Sequence, residues 1–402
     1  MGAPRALRGP AAGGSAVTRP DAPGARPPGA EGRPYPRFSD TEMARRRDAL
    51  AAELEAAGAR HAVIYGANRA GPAVGWLTRW PVTREAMVVL TPGERDVLLV
   101  NFYNHIPNAQ RIATEADVRW AGPKPMATAL EELDRRGARG GRVAVIGPLG
   151  YRPYAALAEF ATPVPLDGAY TRLRLRKSPE ELDWLRIGCA FTDDAVRAVH
   201  EGAAPGTDER ELGNLAERAY VGRGGTTHIH YFGVPVPSQW PAARTLERGD
   251  VLACEISASY WDYTGQLLRT FTVADEPAPL HRELHEVADA AFGALFERVR
   301  PGATAAELVE ASALIGDAGF TTRDDLVHGF VGGYLPPVLG DKTRALEEIP
   351  EFTLEAGMTI VIQPNVVTRD ESAGVQTGEL VAVTANGAER LHDYERGLLR
   401  IA

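Results

Sequence analysis

A regular alternation of polar and apolar positions begins near residue 39. Ser39-Asp40-Thr41-Glu42 has the form of a capping box, in which a hydroxyl and a carboxylate three residues apart satisfy each other's orphan backbone amides. It predicts a helix to about Ala57, with Gly58 as its stop. Short apolar runs over 61–65, 86–90, 96–100 and 143–146 read as strands, and 127–136 reads as a helix. Residues 38–172 therefore form one α/β domain.

Ser178-Pro179-Glu180-Glu181 then opens a second capped helix, with serine as the cap and proline at the first helical position. Leu182, Leu185, Ile187 and Val196, with Trp184 alongside, supply its buried stripe. Further along, the pattern gives a helix near 207–220 and strands over 227–233, 251–260 and 267–273. Helices over 279–299 and 304–318 follow, then strands at 359–362 and 379–383. Strands and helices alternate here without a regular βαβ repeat, which predicts an α+β domain over 173–402.

Composition changes this picture only at the start of the chain. Residues 1–37 are dominated by Gly, Ala, Pro and Arg without periodic apolar positions, so they cannot bury enough surface to offset ordering entropy and read as a disordered tail. Six arginines against Asp21 and Glu31 give the tail +4, leaving −13 on the remainder of a chain whose total is −9. An acidic body argues against nucleic-acid binding. No signal-peptide core or apolar run of about 18 residues is present, and Ala6 stands where a myristoylation signal has Ser or Thr. The expectation is a cytoplasmic protein that does not engage membranes. Cys189 and Cys254 are the only cysteines, and both read as buried fillers of a helix and a strand.

Five phrases in the second half carry a family resemblance: "LRLRKSPEELDWLR" at 173, "LERGDVLACEISASYWDYTGQLLRTFTV" at 246, "VHGFVGG" at 327, "LEAGMTIVIQPNVV" at 354 and "AGVQTGELVAVT" at 373. In this order they resemble the M24 pita-bread superfamily of creatinase, prolidase and aminopeptidase P. The block before them, with "GWLTRW" at 75, resembles a creatinase N-terminal domain. The resemblance implies an α+β pita-bread C-terminal domain preceded by an α/β creatinase-like N-terminal domain.

Metal-dependent members hold two divalent ions with two Asp, one His and two Glu, and the ions activate water. The first family Asp falls on Glu255 and the second on Gln266. The His falls on His328, the first Glu on Gln363, and the second on Gly378, with Glu379 adjacent. A four-plus ion pair needs several carboxylates to balance it, so the resemblance implies no dinuclear site and no cofactor. The alternative is a single weakly held Mn, Co or Zn at Glu255 and His328. Creatinase works without metal through an acid-base histidine, but that position falls near Ser238 here and its glutamate on Leu268, so creatinase specificity is not implied.

The candidate catalytic groups are His328, Glu255, His230 and His228. Strand alternation in "TTHIHYFG" places His228 and His230 on one face, and neutral imidazoles pass protons near working pH. Glu255 is a candidate base or ammonium partner; an ion pair with Arg269 is its other reading. Gln266, Gln363 and Gln376 offer amide donors and acceptors for recognition, with Glu379, Arg269 and Tyr263 as further substrate-binding candidates. Trp240, Tyr260 and Trp261 read as pocket walls or core. Dimeric relatives imply a homodimer in which Trp76 or His105 approaches the site of the other subunit.

The expected function is an M24-like hydrolase acting on a carbon-nitrogen bond of a small amino-acid derivative or Xaa-Pro-type peptide without the dinuclear site. Alternatives are a lyase or ring-opening enzyme on the same fold, or a catalytically inactive ligand-binding protein.

Overall fold

The computed structural model describes residues 35–68, 73–344 and 348–402, which build two large sheets. Most of the expected tail, residues 1–34, lies outside the described residues. Its last residues are part of the fold: the Phe38 ring beside them stacks on Trp184 at 4.0 Å, and Tyr35 meets Trp261 edge-on at 5.8 Å.

The first sheet has the strand order Asp117–Trp120, Val97–Val100, Glu85–Leu90, His61–Ala67, Arg142–Ile146, Thr162–Pro165. His61–Ala67 pairs antiparallel with Glu85–Leu90 and parallel with Arg142–Ile146. Ile64, Val88 and Leu98 pack on one face while Val63, Met87 and Leu99 pack on the other. Burial on both faces explains why these strands read as unbroken apolar runs rather than alternating ones. The helix Asp40–Ala56 has Ser39 as its cap, with the Glu42 N–H donating to Ser39 Oγ at 3.1 Å. The reciprocal half of the box is supplied from elsewhere: the Ser39 N–H donates to Glu180, and the Glu42 carboxylate is taken by Arg45 and Arg46.

The chain passes to the second sheet through the helix Asp167–Leu175 and a bridge between Arg176 and Met358. The helix Pro179–Gly202 then begins on a complete Ser178–Glu181 capping box. The Glu181 carboxylate also accepts from Trp76 Nε1 at 3.0 Å and Tyr263 OH at 2.9 Å, and it pairs with Arg46 Nη2 at 3.2 Å. One cap thus ties the two sheets together.

The second sheet has ten strands. Its main path runs Tyr334–Leu339, Val327–Phe330, Thr359–Ile362, Gly378–Thr384, Leu267–Val273, Val251–Tyr260, Thr226–Gly233. A smaller sheet joins Thr321–Thr322, Asn365–Val367 and Gly374–Gln376. The helix Pro179–Gly202 lies against the strand Val251–Tyr260 and its return, and glycines permit the approach: a Cβ on Gly188 would stand 2.3 Å from Tyr263 O, and one on Gly265 2.6 Å from Cys189 Cα. The expected helix over 304–318 is two, Ala305–Ala311 and Ala313–Asp317, broken where Ser312 Oγ donates to Val309 O at 2.7 Å. Among the described residues no helix is long and apolar enough to cross a membrane.

Candidate functional site

Strand register decides which candidates meet. Glu255 lies opposite Leu268, and Leu268 opposite Gly378. His328 lies opposite Val361, and Val361 opposite Leu380. Because Gly378 and Leu380 share a face, Glu255 and His328 do as well. Arg269 and Glu379 occupy the other face.

On the shared face, Gln266 Nε2 donates to Glu255 Oε1 at 2.8 Å and to Gln363 Oε1 at 3.3 Å. Gln363 Nε2 reaches Asp325 Oδ1 at 3.1 Å and Asp325 O at 3.2 Å. Tyr334 OH donates to the same Asp325 Oδ1 at 3.3 Å. Two acids are therefore joined through two amides, with His328 beside them. His328 is wholly buried, its Nδ1 lies 3.1 Å from Gly329 O, and its ring stacks on Tyr334. A carbonyl only accepts, so Nδ1 carries the proton and the neutral ring presents a lone pair at Nε2. Gln266 Oε1 and Asp325 Oδ2 are buried without a hydrogen-bond partner, and His328 Nε2 has no close one, with the Gln363 side chain standing near enough to favour the protonated ring.

The electrostatics follow from this placement. Burial, with Asp324 nearby and only partly offset by Gln266, pushes Glu255 up to about 8. Burial and the neighbouring Asp324 and Glu255 push Asp325 up to about 8 as well. Burial pushes His328 the other way, to about 4. Desolvation disfavours whichever form is charged, so the acids hold their protons and the imidazole releases its own.

Several expected members stand elsewhere. Glu379 is fully buried in ion pairs with Arg269 (2.9 Å) and Arg390, so neither Glu379 nor Arg269 faces Glu255, and the Glu255–Arg269 pair does not form. Tyr263 lies at the junction of the two sheets, bonded to Glu181 and Arg46. Trp76 is buried at that same junction within its own chain, and His105 bonds Thr83 at 2.9 Å. Tyr260 is core, Trp261 meets Tyr35, and Trp240 is exposed beside Tyr231.

His228 and His230 do not share a face. The register slips between Thr227 and Ile229, a bulge that adds one residue and breaks simple alternation. His228 packs edge-on against Phe330, next to His328, whereas His230 Nε2 bonds Tyr220 OH at 2.9 Å. Gln376 is buried, with its backbone N–H and carbonyl both bonded to Thr270 Oγ1; among the described residues its side chain makes no hydrogen bond to the Glu255 chain.

Asp324, Asp325 and Tyr334 were not singled out from sequence. The signal was the acidic pair directly before "LVHGFVGG", which the strand Val327–Phe330 carries to the rim of the site. Of the five positions corresponding to family metal ligands, Glu255 and His328 present ligand atoms to the site. Gln266 and Gln363 bring no charge, Gly378 brings no side chain, and the neighbouring Glu379 is engaged by arginines. Among the described residues no group of three or more His, Cys, Asp or Glu is arranged to hold an ion. This donor set does not fit a two-ion centre.

Comparison with known proteins agrees with this architecture. The chain is 28% identical over 243 residues to an Xaa-Pro dipeptidase of Pyrococcus furiosus, covering 58% of this chain and 68% of that protein. It is 27% identical over 245 residues to an Xaa-Pro dipeptidase of Pyrococcus horikoshii, covering 58% and 67%. Among solved structures, a dipeptidase PepE from Mycobacterium ulcerans superposes with a TM-score of 0.75 at 24% identity, covering 91% of this chain and 99% of that one, which shows the shared two-domain fold. The sequence profile described as Metallopeptidase family M24 matches residues 183–385, half of the chain and the stretch that carries Glu255, Gln266, Asp325, His328 and Gln363, and this chain belongs to that family.

Proposed function

We propose that this chain is an M24-type hydrolase that cleaves a carbon-nitrogen bond of a small amino-acid derivative or Xaa-Pro-type peptide by proton transfer at His328 and Glu255, without a two-ion centre. The observation that carries the reading is the opposite displacement of two kinds of group in one hydrogen-bonded site: carboxyls raised to about 8 and an imidazole lowered to about 4. Between those values both stand in their working forms, a neutral base and a protonated acid.

In this reading His328 Nε2 takes a proton from water as the water oxygen attacks the carbonyl carbon. Glu255 gives its proton to the leaving nitrogen as the carbon-nitrogen bond breaks. Transfer of the proton from His328 back to Glu255 restores the site, so one water is consumed and its oxygen stays with the acyl product. Gln266 fixes the Glu255 carboxyl, and the Gly329 carbonyl fixes the imidazole tautomer.

The surroundings also bear on substrate charge. Among the described residues, no Lys or Arg figures among the groups acting most on Glu255 or Asp325. A substrate nitrogen carrying positive charge, such as a free amino terminus, is the complementary partner for Asp324 and Asp325. Its binding lowers the proton affinity of Asp325 and releases the proton held there at pH 7. The same reading takes the chain as a cytoplasmic homodimer acting on small-molecule or short-peptide substrates.

The test is turnover of a panel of Xaa-Pro dipeptides and small amides, with and without chelator, alongside elemental analysis. Turnover that survives chelation and is lost in Glu255→Gln and His328→Ala supports the proposal. Activity abolished by chelator and restored by Mn(II) or Co(II) overturns it. Ligand-induced thermal stabilisation without turnover makes the chain a binding protein on this fold.

A further inference from the structure

The helix Pro279–Arg298 carries His281 and His285 four residues apart, within "PLHRELHEVAD". That spacing puts both side chains on one face of the helix, about 5–6 Å apart at Cβ. Both ring nitrogens of His281 and Nε2 of His285 are shielded from solvent and have no hydrogen-bond partner. Single orphaned Nε2 atoms occur on His328 and His392, but each of those rings holds a partner through Nδ1, Gly329 O and Asp193 respectively. His281 has no partner on either nitrogen, and with His285 it puts three orphaned ring nitrogens on one helical face.

The second nitrogen of His285 is not idle, for the ring is hydrogen-bonded by the Gly397 carbonyl. A carbonyl on one nitrogen fixes the tautomer and leaves the other as a lone pair, the arrangement that surrounds metal-bound histidines. His285, without His281, lines a cleft of about 320 Å³ together with Thr272, Glu276, Arg282, Glu286 and Arg400, which gives an ion and its waters a route to the His285 ring.

We propose that His281 and His285 form a two-imidazole site for a borderline transition-metal ion, Zn(II), Ni(II) or Cu(II), pinning this helix beside the C-terminal segment. Imidazole nitrogen favours these ions over Mg(II) or Ca(II). No third His, Cys, Asp or Glu completes the set among the described residues, so water fills the remaining positions.

The cationic surroundings do not forbid an ion. Arg396 is held by Asp289, Arg400 by Glu276, and Arg269 by Glu379, while Arg282 Nε donates to Pro277 O. This site is separate from the Glu255 site: Arg269, one of the charges His285 feels, lies on the opposite face of the sheet from Glu255.

The experiment titrates Zn(II) into chelator-treated full-length protein against a chromogenic zinc indicator, comparing the parent with His281→Ala, His285→Ala and His328→Ala. The expected result is one bound equivalent in the parent and in His328→Ala, weakened at least about tenfold in either of the other two. Cu(II) electron paramagnetic resonance of the parent, showing nitrogen couplings from two imidazoles, gives the same answer without a variant. If His285→Ala does not fold, the half-buried His281→Ala carries the comparison. Absence of a bound equivalent in the parent, binding unchanged in both helix variants, or binding lost in His328→Ala alone overturns the proposal.

Discussion

Tyr334 lies face to face on His328, the ring centroids 4.0 Å apart and the planes 18° from parallel. Tyr334 is itself 55% exposed, so it roofs an imidazole that has no exposure of its own. The roof sets the chemistry beneath it, because burial is the leading cause of the low proton affinity of His328.

Removing the roof should therefore return the imidazole toward its ordinary value. In Tyr334→Ala, the His328 ring resonance followed by NMR titrates upward from about 4 toward the usual range near 6.5. Tyr334→Phe keeps the stack and loses only the bond to Asp325, so its His328 titration stays low. An unmoved titration in Tyr334→Ala would show that other walls govern the site.

Glu255 gives a prediction about stability against pH. Its folded value, about 8, lies above the usual 4.5, so the folded state binds this proton more tightly than the unfolded chain does. The resulting stability is present in full below about 4.5 and is lost as pH rises through 8. Glu255→Gln removes this loss: at pH 9 the variant should be roughly 2–4 kcal/mol more stable than the parent, and at pH 5 much closer to it. Urea unfolding at the two pH values measures the difference.

Arg269 separates a structural from a recognition role. It is buried between Glu379 and the backbone carbonyls of Gly378, Tyr394 and Glu395. Arg269→Met leaves Glu379 with Arg390 alone and should cost about 3–5 kcal/mol. The KM per folded molecule should be unchanged, because the guanidinium points away from Glu255. A raised KM with intact stability would return Arg269 to the site.

The pair His392–Asp193 makes a pH prediction of the same sign in a higher window. Burial lowers the His392 value, but Cys189 and Asp193 beside it outweigh burial and raise it to about 10. A raised histidine contributes stability that is complete below its unfolded value near 6.5 and is lost as pH climbs through 10. His392→Ala should cost about 3–5 kcal/mol at pH 6, since Asp193 is left buried and unpaired, and the gap to the parent should narrow above pH 10. Denaturant melts across that range test it.

Much of the fold was legible in local pattern. Caps, apolar runs and stop residues located Asp40–Ala56, Val251–Tyr260 and Leu267–Val273 within a residue or two, and the start of Pro179–Gly202, because each of these features is set by neighbours a few positions away. Sequence also brought Glu255, Gln266, His328 and Gln363 forward through their place in matched phrases, and the structure joins them in one site.

What failed were inferences about direction. His228 and His230 obeyed alternation on paper, but one bulge sends them to different partners. Glu379 and Arg269 were near the right phrases and on the wrong face, because a side chain one position along a strand points through the sheet. Asp325 and Tyr334 acquire meaning only where a hairpin folds over His328.

The sequence by itself determined the elements, the family and the chemical types at the site, since those depend on residue identity and short spacing. Register, bulge and burial decided which of those groups face one another and what charge they carry, because desolvation and cross-strand contact exist only once distant segments are packed together.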